Sequence, residues 1–327
     1  MKQIVLGVLT ASIIAFTGPV QADDFTPSIV FDMGGKSDKS FNEAAYNGIE
    51  KFKEETGIDY IEYEVTQVSQ REQAADRMVR KGADIVIAIG FAQASAVEKA
   101  AKKYPNTKFT LIDMVVDLPN VQSIVFREEQ GSFLVGIAAA MASKTGKVGF
   151  IGGMDIPLIR KFALGYKEGV KHANPDAEVI ENMTGTTPDA WNNPNEGSEL
   201  ATSQFDRGAD VIFAAAGGTG IGVYQSAADS QKLAIGVDSN QDYLHPGVML
   251  TSMLKRVDVA VYKALKSAQD GTWKSGIQVL GLAEDGVGFS VDQWNEDVLT
   301  PEMIAAMNKA KEEIIAGKIK VTNYMDK

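Results

Sequence analysis

Short apolar runs alternate with longer amphipathic stretches along most of the chain. In the first half, runs of four to seven residues predict strands at 28–31, 60–66, 83–89, 108–112 and 121–126. Between them, apolar residues spaced at about 3.6 positions predict helices at 41–56, 69–81 and 94–103. Strands that alternate with helices are typical of βαβ units. The pattern therefore predicts an α/β fold with parallel sheets.

The second half of the chain repeats this order of elements. Strands are predicted at 147–151, 177–183, 210–215, 233–237 and 248–252, with helices at 131–142, 159–172, 196–207, 224–230 and 257–269. Similar residues stand at matching places in the two halves: Asp84 and Asp210, Asp113 and Asp238, and the glycine pairs 34–35 and 152–153. Three matches in the same order predict two similar lobes, each with its own crevice at the strand ends.

The last part of the chain departs from the repeat. It predicts strands at 276–282 and 287–290 and an amphipathic helix at 301–316. Since no low-complexity linker separates the halves, we expect lobes joined by several short crossings, which can act as hinges. We assign 23–127 and 255–274 to lobe I, and 128–254 and 275–327 to lobe II.

Residues 1–22 have the pattern of an export signal. Lys2 precedes an apolar stretch at 4–16, and Val20-Gln21-Ala22 resembles a cleavage site. A membrane anchor is the alternative, but the apolar stretch is shorter than the roughly 20 residues that span a bilayer. We predict cleavage near Ala22 and a periplasmic location. The chain has no cysteine, which excludes disulfides and a lipid-modified N-terminal cysteine.

The net charge of the chain disfavours polyanionic binding partners. The formal net charge is −11, and the sequence pI is about 4.8. Binding to nucleic acid or to an anionic membrane needs a basic face, so both are disfavoured. Hydrophobic residues make up 45% of the chain, enough for a full core.

Signatures of catalysis and of cofactor binding are absent from the sequence. His172 and His245 lie far apart, and neither has a second ligand at metal-binding spacing. There is no P-loop, no G-x-S-x-G and no cysteine nucleophile. The glycine-rich run at 217–220 does not fit a dinucleotide fingerprint, although it permits close approach of a ligand to the backbone. We therefore predict no metal, no cofactor and no enzymatic activity.

The predicted strand ends carry a set of residues that suits a flat heteroaromatic ligand with hydroxyl groups. Aromatic rings can stack on a base, carboxylates accept its N–H groups, and an aspartate with a lysine can bind a ribose diol. The candidates in lobe I are Asp32, Phe41, Asn42, Phe91 and Asp113. The candidates later in the chain are Trp191, Gly217, Gly218, Asp238 and Lys255.

Each candidate also has a structural interpretation. Asp32 could be a turn former, Ser40 a helix N-cap and Phe41 a core residue. Trp191 could belong to the core, although the polar loop around it favours the surface. Lys255, next to Arg256, could simply be solvated.

At these residues the chain resembles the basic membrane protein (BMP) family of ABC-transporter substrate-binding proteins, which includes the purine nucleoside receptor type. The segments that carry the resemblance are FDMGG with DKSFN at 31–42, GFA at 90–92, LID at 111–113, EQGSF at 129–133, GFIGGM at 149–154, AGGTG at 216–220, IGVD at 235–238 and TSMLK at 251–255.

The resemblance covers essentially all of the chain after the export signal. It implies a type I periplasmic binding fold: two Rossmann-like lobes, three crossings, and a cleft that closes on its ligand. It also implies that Asp32, Asn42 and Asp113 hold the base edge, that Phe41 and Trp191 stack on the base, and that Asp238 and Lys255 bind the ribose. Many members are lipoproteins, and this chain lacks the acceptor cysteine.

These observations leave several functions open. The first is a monomeric receptor that delivers a purine nucleoside (guanosine, adenosine or inosine) to an ABC permease. The second is a receptor for a sugar, an autoinducer or another heterocycle. The third is a nucleoside-cleaving enzyme, which would need a general acid or base aimed at the glycosidic bond. A transcriptional regulator is disfavoured because an export signal occupies the place of a DNA-binding headpiece.

Overall fold

A computed structural model describes residues 25–326 of the chain. The export signal predicted for 1–22 lies outside these residues. Within them the chain forms two six-stranded sheets flanked by helices. The predicted α/β class is therefore confirmed.

The first sheet contains the strands of the first half and one strand from near the end of the chain. Its members are β1 (Pro27–Phe31), β2 (Ile61–Glu64), β3 (Ile85–Ala88), β4 (Lys108–Ile112), β5 (Val121–Phe126) and β11 (Gly276–Leu280). They lie in the order β11-β5-β4-β3-β1-β2, and all pairs are parallel. The central strands β1 and β3 are buried throughout, as expected where helices cover both faces of a parallel sheet.

The second sheet repeats this order. It consists of β6 (Lys147–Met154), β7 (Glu178–Gly185), β8 (Val211–Ala215), β9 (Leu233–Asp238), β10 (Met249–Lys255) and β12 (Val287–Phe289). The order is β12-β10-β9-β8-β6-β7, with β12 antiparallel to β10. Each strand of this sheet thus has a counterpart in the first, which explains the internal repeat of the sequence.

Helices connect the strands within each lobe. They are α1 (Phe41–Thr56), α2 (Arg71–Arg80), α3 (Ala94–Lys103), α4 (Glu128–Ala142), α5 (Pro157–Ala173), α6 (Pro194–Asp206), α7 (Gly220–Asp229), α8 (Val257–Gln269) and α9 (Pro301–Ile315). Helix α8 packs on α1 in the first lobe, and α9 packs on α4 in the second. The sequence placed most of these boundaries within a few residues.

The chain passes between the lobes three times. The crossings follow β5, β10 and β11, and they lead to α4, α8 and β12 respectively. This is the type I periplasmic binding architecture that the resemblance implied. The crevice between the lobes lies at the carboxyl ends of the parallel strands, where ligands bind in open α/β folds.

Two sequence-based assignments are wrong. Residues 275–327 were all given to lobe II, but Gly276–Leu280 pairs in parallel with β5 in the first sheet, because the chain returns to lobe I before its last crossing. The glycine pairs at 34–35 and 152–153 are not equivalent. Gly34 and Gly35 have positive φ angles in a turn, whereas Gly152 and Gly153 lie inside β6.

Helices α4 and α5 approach each other closely. A methyl group on Gly165 would lie 2.2 Å from the carbonyl oxygen of Glu129, and one on Gly169 would lie 2.0 Å from that of Phe133. Only glycine permits this separation. As a result, the middle of α5 lies against the first turn of α4, where the chain enters the second lobe.

Candidate functional site

A cavity lies between the lobes at the strand ends. Nine of the ten residues predicted from the sequence line it: Asp32, Phe41, Asn42, Phe91, Asp113, Trp191, Gly217, Asp238 and Lys255.

Gly218 is the predicted residue that does not line the cavity. It packs instead against the backbone of the loop that carries Trp191. The sequence also missed several lining residues, among them Asp38, Leu158, Ile159 and Phe162. The apolar members of this group lie on α5, and nothing in the periodicity of that helix distinguishes cavity-facing from core-facing positions.

Lys255 is the centre of a buried charge cluster formed by Asp113, Glu128, Lys161 and Lys255. Its Nζ lies 2.6 Å from Asp113 Oδ2 and 3.0 Å from Glu128 Oε1, and the side chain is only 2% exposed. Burial opposes the charge on Lys255, but the neighbouring carboxylates outweigh it and raise its pKa. The alternative that Lys255 is solvated is therefore wrong.

Three aromatic rings surround the same ammonium group. The ring centroids of Phe41, Phe126 and Phe162 lie 5.1, 5.0 and 5.7 Å from Lys255 Nζ. Such distances permit cation–π attraction, which strengthens when the cation is desolvated. Phe41 therefore contacts both the cavity and the cation, and its ring also packs against the core.

Asp32 is held by a cation that the sequence did not suggest. Arg71, at the start of α2, places its Nη2 2.8 Å and its Nε 2.9 Å from the same oxygen, Asp32 Oδ1. The other oxygen, Oδ2, faces Gly90, where an added methyl group would lie 3.1 Å from it. Asp32 is therefore more than a turn former, because its carboxylate is fixed at the cavity wall with one oxygen directed away from Arg71.

Asn42 and Asp38 organise the start of α1. Asn42 Oδ1 accepts a hydrogen bond from the Asp32 backbone N–H at 3.1 Å, and its Nδ2 donates to Asp38 Oδ2 at 3.0 Å. Asp38 also accepts from the backbone N–H groups of Ser40, Asn42 and Glu43. Asp38 thus satisfies the free N–H groups of the helix, a role that the sequence had given to Ser40.

Ser40 instead joins the two lobes. Its Oγ donates a hydrogen bond to Asp238 Oδ2 at 2.6 Å across the cleft. Two further bonds bridge the same gap: Ser239 Oγ donates to the Ser40 carbonyl at 2.8 Å, and Gln241 Nε2 donates to the Lys39 carbonyl at 2.9 Å. The lobes are therefore in contact at the mouth of the cavity, as in a closed form.

Asp113 and Asp238 occupy equivalent places after β4 and at the end of β9. Both have left-handed backbones, with φ of 73° and 65°, a conformation that is uncommon outside glycine, although aspartate adopts it more readily than most residues. Burial raises the pKa of both carboxyls, that of Asp238 to about 7, while Lys255 acts in the opposite direction. The internal repeat thus places two strained, buried acids at the ligand crevice.

Trp191 lies on a platform of backbone. A methyl group on Gly153 would lie 2.2 Å from Trp191 Cζ3, and one on Gly217 would lie 3.3 Å from the Trp191 carbonyl oxygen. Thr184 and Thr219 each donate a hydroxyl hydrogen bond to the carbonyl of Ala190, which fixes the loop. The indole is partly exposed and lines the cavity, so it is available to a ligand.

Replacing Gly153 with alanine is expected to displace the Trp191 ring, because a Cβ cannot lie 2.2 Å from a ring carbon. Overpacking of this kind costs about 1–3 kcal/mol of unfolding free energy. Urea unfolding and tryptophan fluorescence would measure both effects. Gly185→Ala is the matched control, since its methyl group would make an ordinary 3.6 Å contact with Ala190 Cβ. Equal stability of the two variants would contradict this packing.

Two features are absent from residues 25–326: a metal-binding group and a membrane-spanning helix. They contain no group of three or more histidine, cysteine, aspartate or glutamate side chains arranged to hold a metal ion. Within the same range, none of the helices combines the length and apolarity needed to cross a bilayer.

Comparison with known proteins gives consistent matches. The Bmp family model, described as "ABC transporter substrate-binding protein PnrA-like", matches residues 26–323. An uncharacterized lipoprotein of Pyrococcus abyssi is 36% identical over 311 residues, which cover 87% of this chain and 75% of that protein. The ABC transporter nucleoside-binding protein BmpA of Lactococcus lactis is 32% identical over 321 residues, covering 91% of this chain and 89% of that protein.

A solved structure gives the same picture. A solute-binding protein of an ABC transporter system from Aeropyrum pernix K1 superimposes with a TM-score of 0.84 at 30% identity. The match covers 91% of this chain and 93% of that one. The two-lobed fold and the sequence motifs thus point to the same group of proteins.

Proposed function

This chain belongs to the PnrA-like Bmp family of ABC-transporter substrate-binding proteins, and from that premise we propose that it binds a purine nucleoside between its lobes and delivers it to a permease. The family consists of binding proteins and not of enzymes, which agrees with the sequence-based prediction that the chain has no enzymatic activity. The nucleoside is the part of the proposal that rests on the cavity itself.

One observation carries the choice of ligand. Asp113 Oδ1 is buried at the cavity wall, and no hydrogen-bond partner for it is found among residues 25–326. A buried acceptor left without a partner costs about 1–3 kcal/mol or more, so it indicates a ligand donor at this position. Lys255 Nζ lies 2.6 Å from the other oxygen of the same carboxylate. A diol can donate to the carboxylate and accept from the ammonium at the same time.

The remaining walls suit a purine base. Phe41 and Phe91 come from lobe I, and Trp191 from lobe II. Such rings favour a flat aromatic guest between the lobes. Asp32 Oδ2 supplies an acceptor for an N–H group of the base. The resemblance implies that Asn42 binds the same edge of the base. Gly217, with φ of 57°, lets the backbone approach the guest without a side chain.

The pairing of Asp113 with Lys255 favours one change to the roles implied by the resemblance. There, Asp113 belonged to the base edge and Lys255 to the ribose. Because the two side chains form an ion pair, we place both, together with Asp238, at the sugar. The base edge is then left to Asp32 and Asn42.

Delivery to a permease would depend on closure of the lobes. A ligand shifts the open–closed equilibrium only by binding the closed form more tightly. Ligand groups that touch both lobes supply that difference, and Ser40 already bonds to Asp238 across the cleft. We propose that the permease recognises this closed form of a monomer. Its location would be the periplasm, after removal of the export signal near Ala22.

Addition of a purine nucleoside is expected to stabilise the protein against heat. At about a thousand times the dissociation constant, the gain is roughly 4 kcal/mol, because the ligand binds the folded state alone. Inosine, guanosine and adenosine should each be compared with ribose by thermal melting. A shift with ribose alone would favour a sugar receptor, and no shift with any of the three nucleosides would refute the proposal.

The enzyme alternative has its own measurement. Incubation with inosine, followed by chromatography, would detect free hypoxanthine. We expect the nucleoside to be recovered intact, because the family consists of binding proteins and not of enzymes. Steady release of hypoxanthine would overturn the receptor.

A further inference from the structure

The buried charge cluster continues from the cavity wall into the junction between the lobes. Asp113 and Lys255 line the cavity, whereas Glu128 and Lys161 do not. Glu128 is the first residue of α4, immediately after the first crossing, and Lys255 is the last residue of β10, immediately before the second. The cluster therefore connects the ligand site to two of the three interlobe crossings.

Glu128 is held from both sides. Its Oε1 lies 3.0 Å from Lys255 Nζ, and its Oε2 lies 2.5 Å from Lys161 Nζ. Lys161 also donates to the carbonyl of Phe126, the last residue of β5, at 2.6 Å. Glu128 is fully buried, so its carboxylate cannot rotate into solvent. Its position is set by Lys161, by the backbone of β5 and by the close packing of α4 on α5.

Glu128 in turn restricts the ammonium group of Lys255. An ammonium group has three N–H donors. One of them donates to Asp113 Oδ2 at 2.6 Å. Glu128 Oε1 lies 3.0 Å from Nζ as an ion-pair partner that accepts no hydrogen bond from residues 25–326, so its charge attracts the ammonium group from a second side. Without Glu128, the flexible stem of Lys255 would be held by Asp113 alone.

A purely structural role does not account for these charges. Desolvation costs several kcal/mol for each buried ion, and apolar residues of similar volume often stabilise a protein as well or better. The first turn of α4 and its contact with α5 could therefore be maintained by uncharged side chains. The arrangement of charges does, however, fix the orientation of a cavity-lining cation.

We infer that Glu128, held by Lys161, is a positioning residue that aims Lys255 at the hydroxyl groups of the ligand sugar and so sets the preference of the site for a ribose diol. This inference rests on the proposed function, and it concerns two residues that the ligand does not touch. If Glu128 acts in this way, the base and the sugar are recognised by different residues. Loss of Glu128 should then weaken the contribution of the sugar to the binding free energy and leave that of the base unchanged.

The experiment measures dissociation constants for inosine and for 2′,3′-dideoxyinosine, which keeps the base and lacks the diol. In the unaltered protein, inosine should bind more tightly. In Glu128→Gln this preference should fall by about tenfold or more, because a hydrogen bond to a charged group is lost or misaligned. Affinity for 2′,3′-dideoxyinosine should change by less than about threefold, since the base contacts remain.

Glu129→Gln is the matched control. Glu129 lies next to Glu128 in the same helical turn, is equally buried, and lies 3.5 Å from Lys161 Nζ, whereas Glu128 also contacts Lys255. The control should keep the preference for inosine. If Glu128→Gln does not fold, Glu128→Gln combined with Lys161→Met takes its place, because it removes one charge of each sign.

Three outcomes would overturn the inference. In the first, the unaltered protein binds neither compound, and the proposed function fails together with it. In the second, the unaltered protein prefers inosine and the Glu128 variants keep that preference, so that the positioning role alone fails. In the third, the variants weaken both compounds equally, which indicates general damage to the cavity.

Discussion

Replacement of Lys255 with methionine is expected to destabilise the protein by about 3–5 kcal/mol and to abolish nucleoside binding. The substitution removes the cation between Asp113 and Glu128, both of which are buried. Asp113 would then lose its ion-pair partner, and Glu128 would keep only Lys161. Methionine fills a similar volume, so loss of packing contributes little. Urea unfolding at neutral pH and titration with inosine would measure the two effects.

Lys263→Met serves as the control for this prediction. Lys263 is an exposed residue of the neighbouring helix α8, and its loss should change the unfolding free energy by no more than about 0.5 kcal/mol. Adding Asp113→Asn to Lys255→Met should recover part of the lost stability, because Asp113 is the carboxylate that loses its ion-pair partner. A change in Lys255→Met as small as in the control would contradict the importance of the buried pairs.

The stability of the ligand-free protein is expected to fall as the pH rises from about 4 to about 7. Burial raises the pKa of Asp238 from 3.8 to about 7, and that of Asp242 to about 6. In this range the folded protein keeps protons that the unfolded chain has released. Each such group lowers the free energy of unfolding by up to about 1.4 kcal/mol per pH unit. Urea unfolding at several pH values would detect the slope, and Asp238→Asn should reduce it.

Nucleoside affinity should change in the opposite direction. A ligand hydroxyl that donates to Asp238 favours its ionised form, so binding releases a proton below pH 7. Affinity should therefore rise by up to about tenfold per unit between pH 5 and 7, and then level off. Lys255 and the Ser40 hydroxyl lower the pKa of Asp238, whereas Asp38 and Asp113 raise it. These four residues act on Asp238 either from lobe I or from the buried charge cluster.

Calorimetric titration in buffers of different ionisation enthalpy would count the released protons. Asp238→Asn should bind weakly and without this pH dependence. Asp242→Asn is the control, because Asp242 bonds to Ser252, Ser290 and Asn295 inside lobe II and does not line the cavity. Its substitution should leave the pH profile of binding intact. Constant affinity from pH 5 to 8 would contradict the role given to Asp238.

The helices and strands were predictable from the sequence because hydrophobic periodicity within a short segment marks each of them. The strand Lys108–Ile112 and the helix Ala94–Lys103 were placed at their observed bounds, since an apolar run and a helical period mark them directly. The late strand Gly276–Leu280 was given to the wrong lobe for the same reason. Its sequence predicts a strand, but the choice of partner depends on where the chain crosses between lobes.

Candidate residues were predictable as a set because parallel strands bring their carboxyl ends to one edge. Asp32, Asp113 and Asp238 each follow or end such a strand, and all three line the cavity. Their partners were not predictable. Arg71 and Glu128 lie 39 and 127 positions from the residues that they bind, Asp32 and Lys255 respectively. Nothing local in the sequence connects them.

The sequence by itself determined the α/β class, the duplicated lobes, the family motifs and most of the residues around the cavity, because alternation and strand-end position are local properties. Only the tertiary structure decided that Ser40 bridges the lobes, that Asp38 caps α1 and that Lys255 is buried between two carboxylates. These features depend on contacts between distant segments and on burial. Both exist only once the two lobes are packed together.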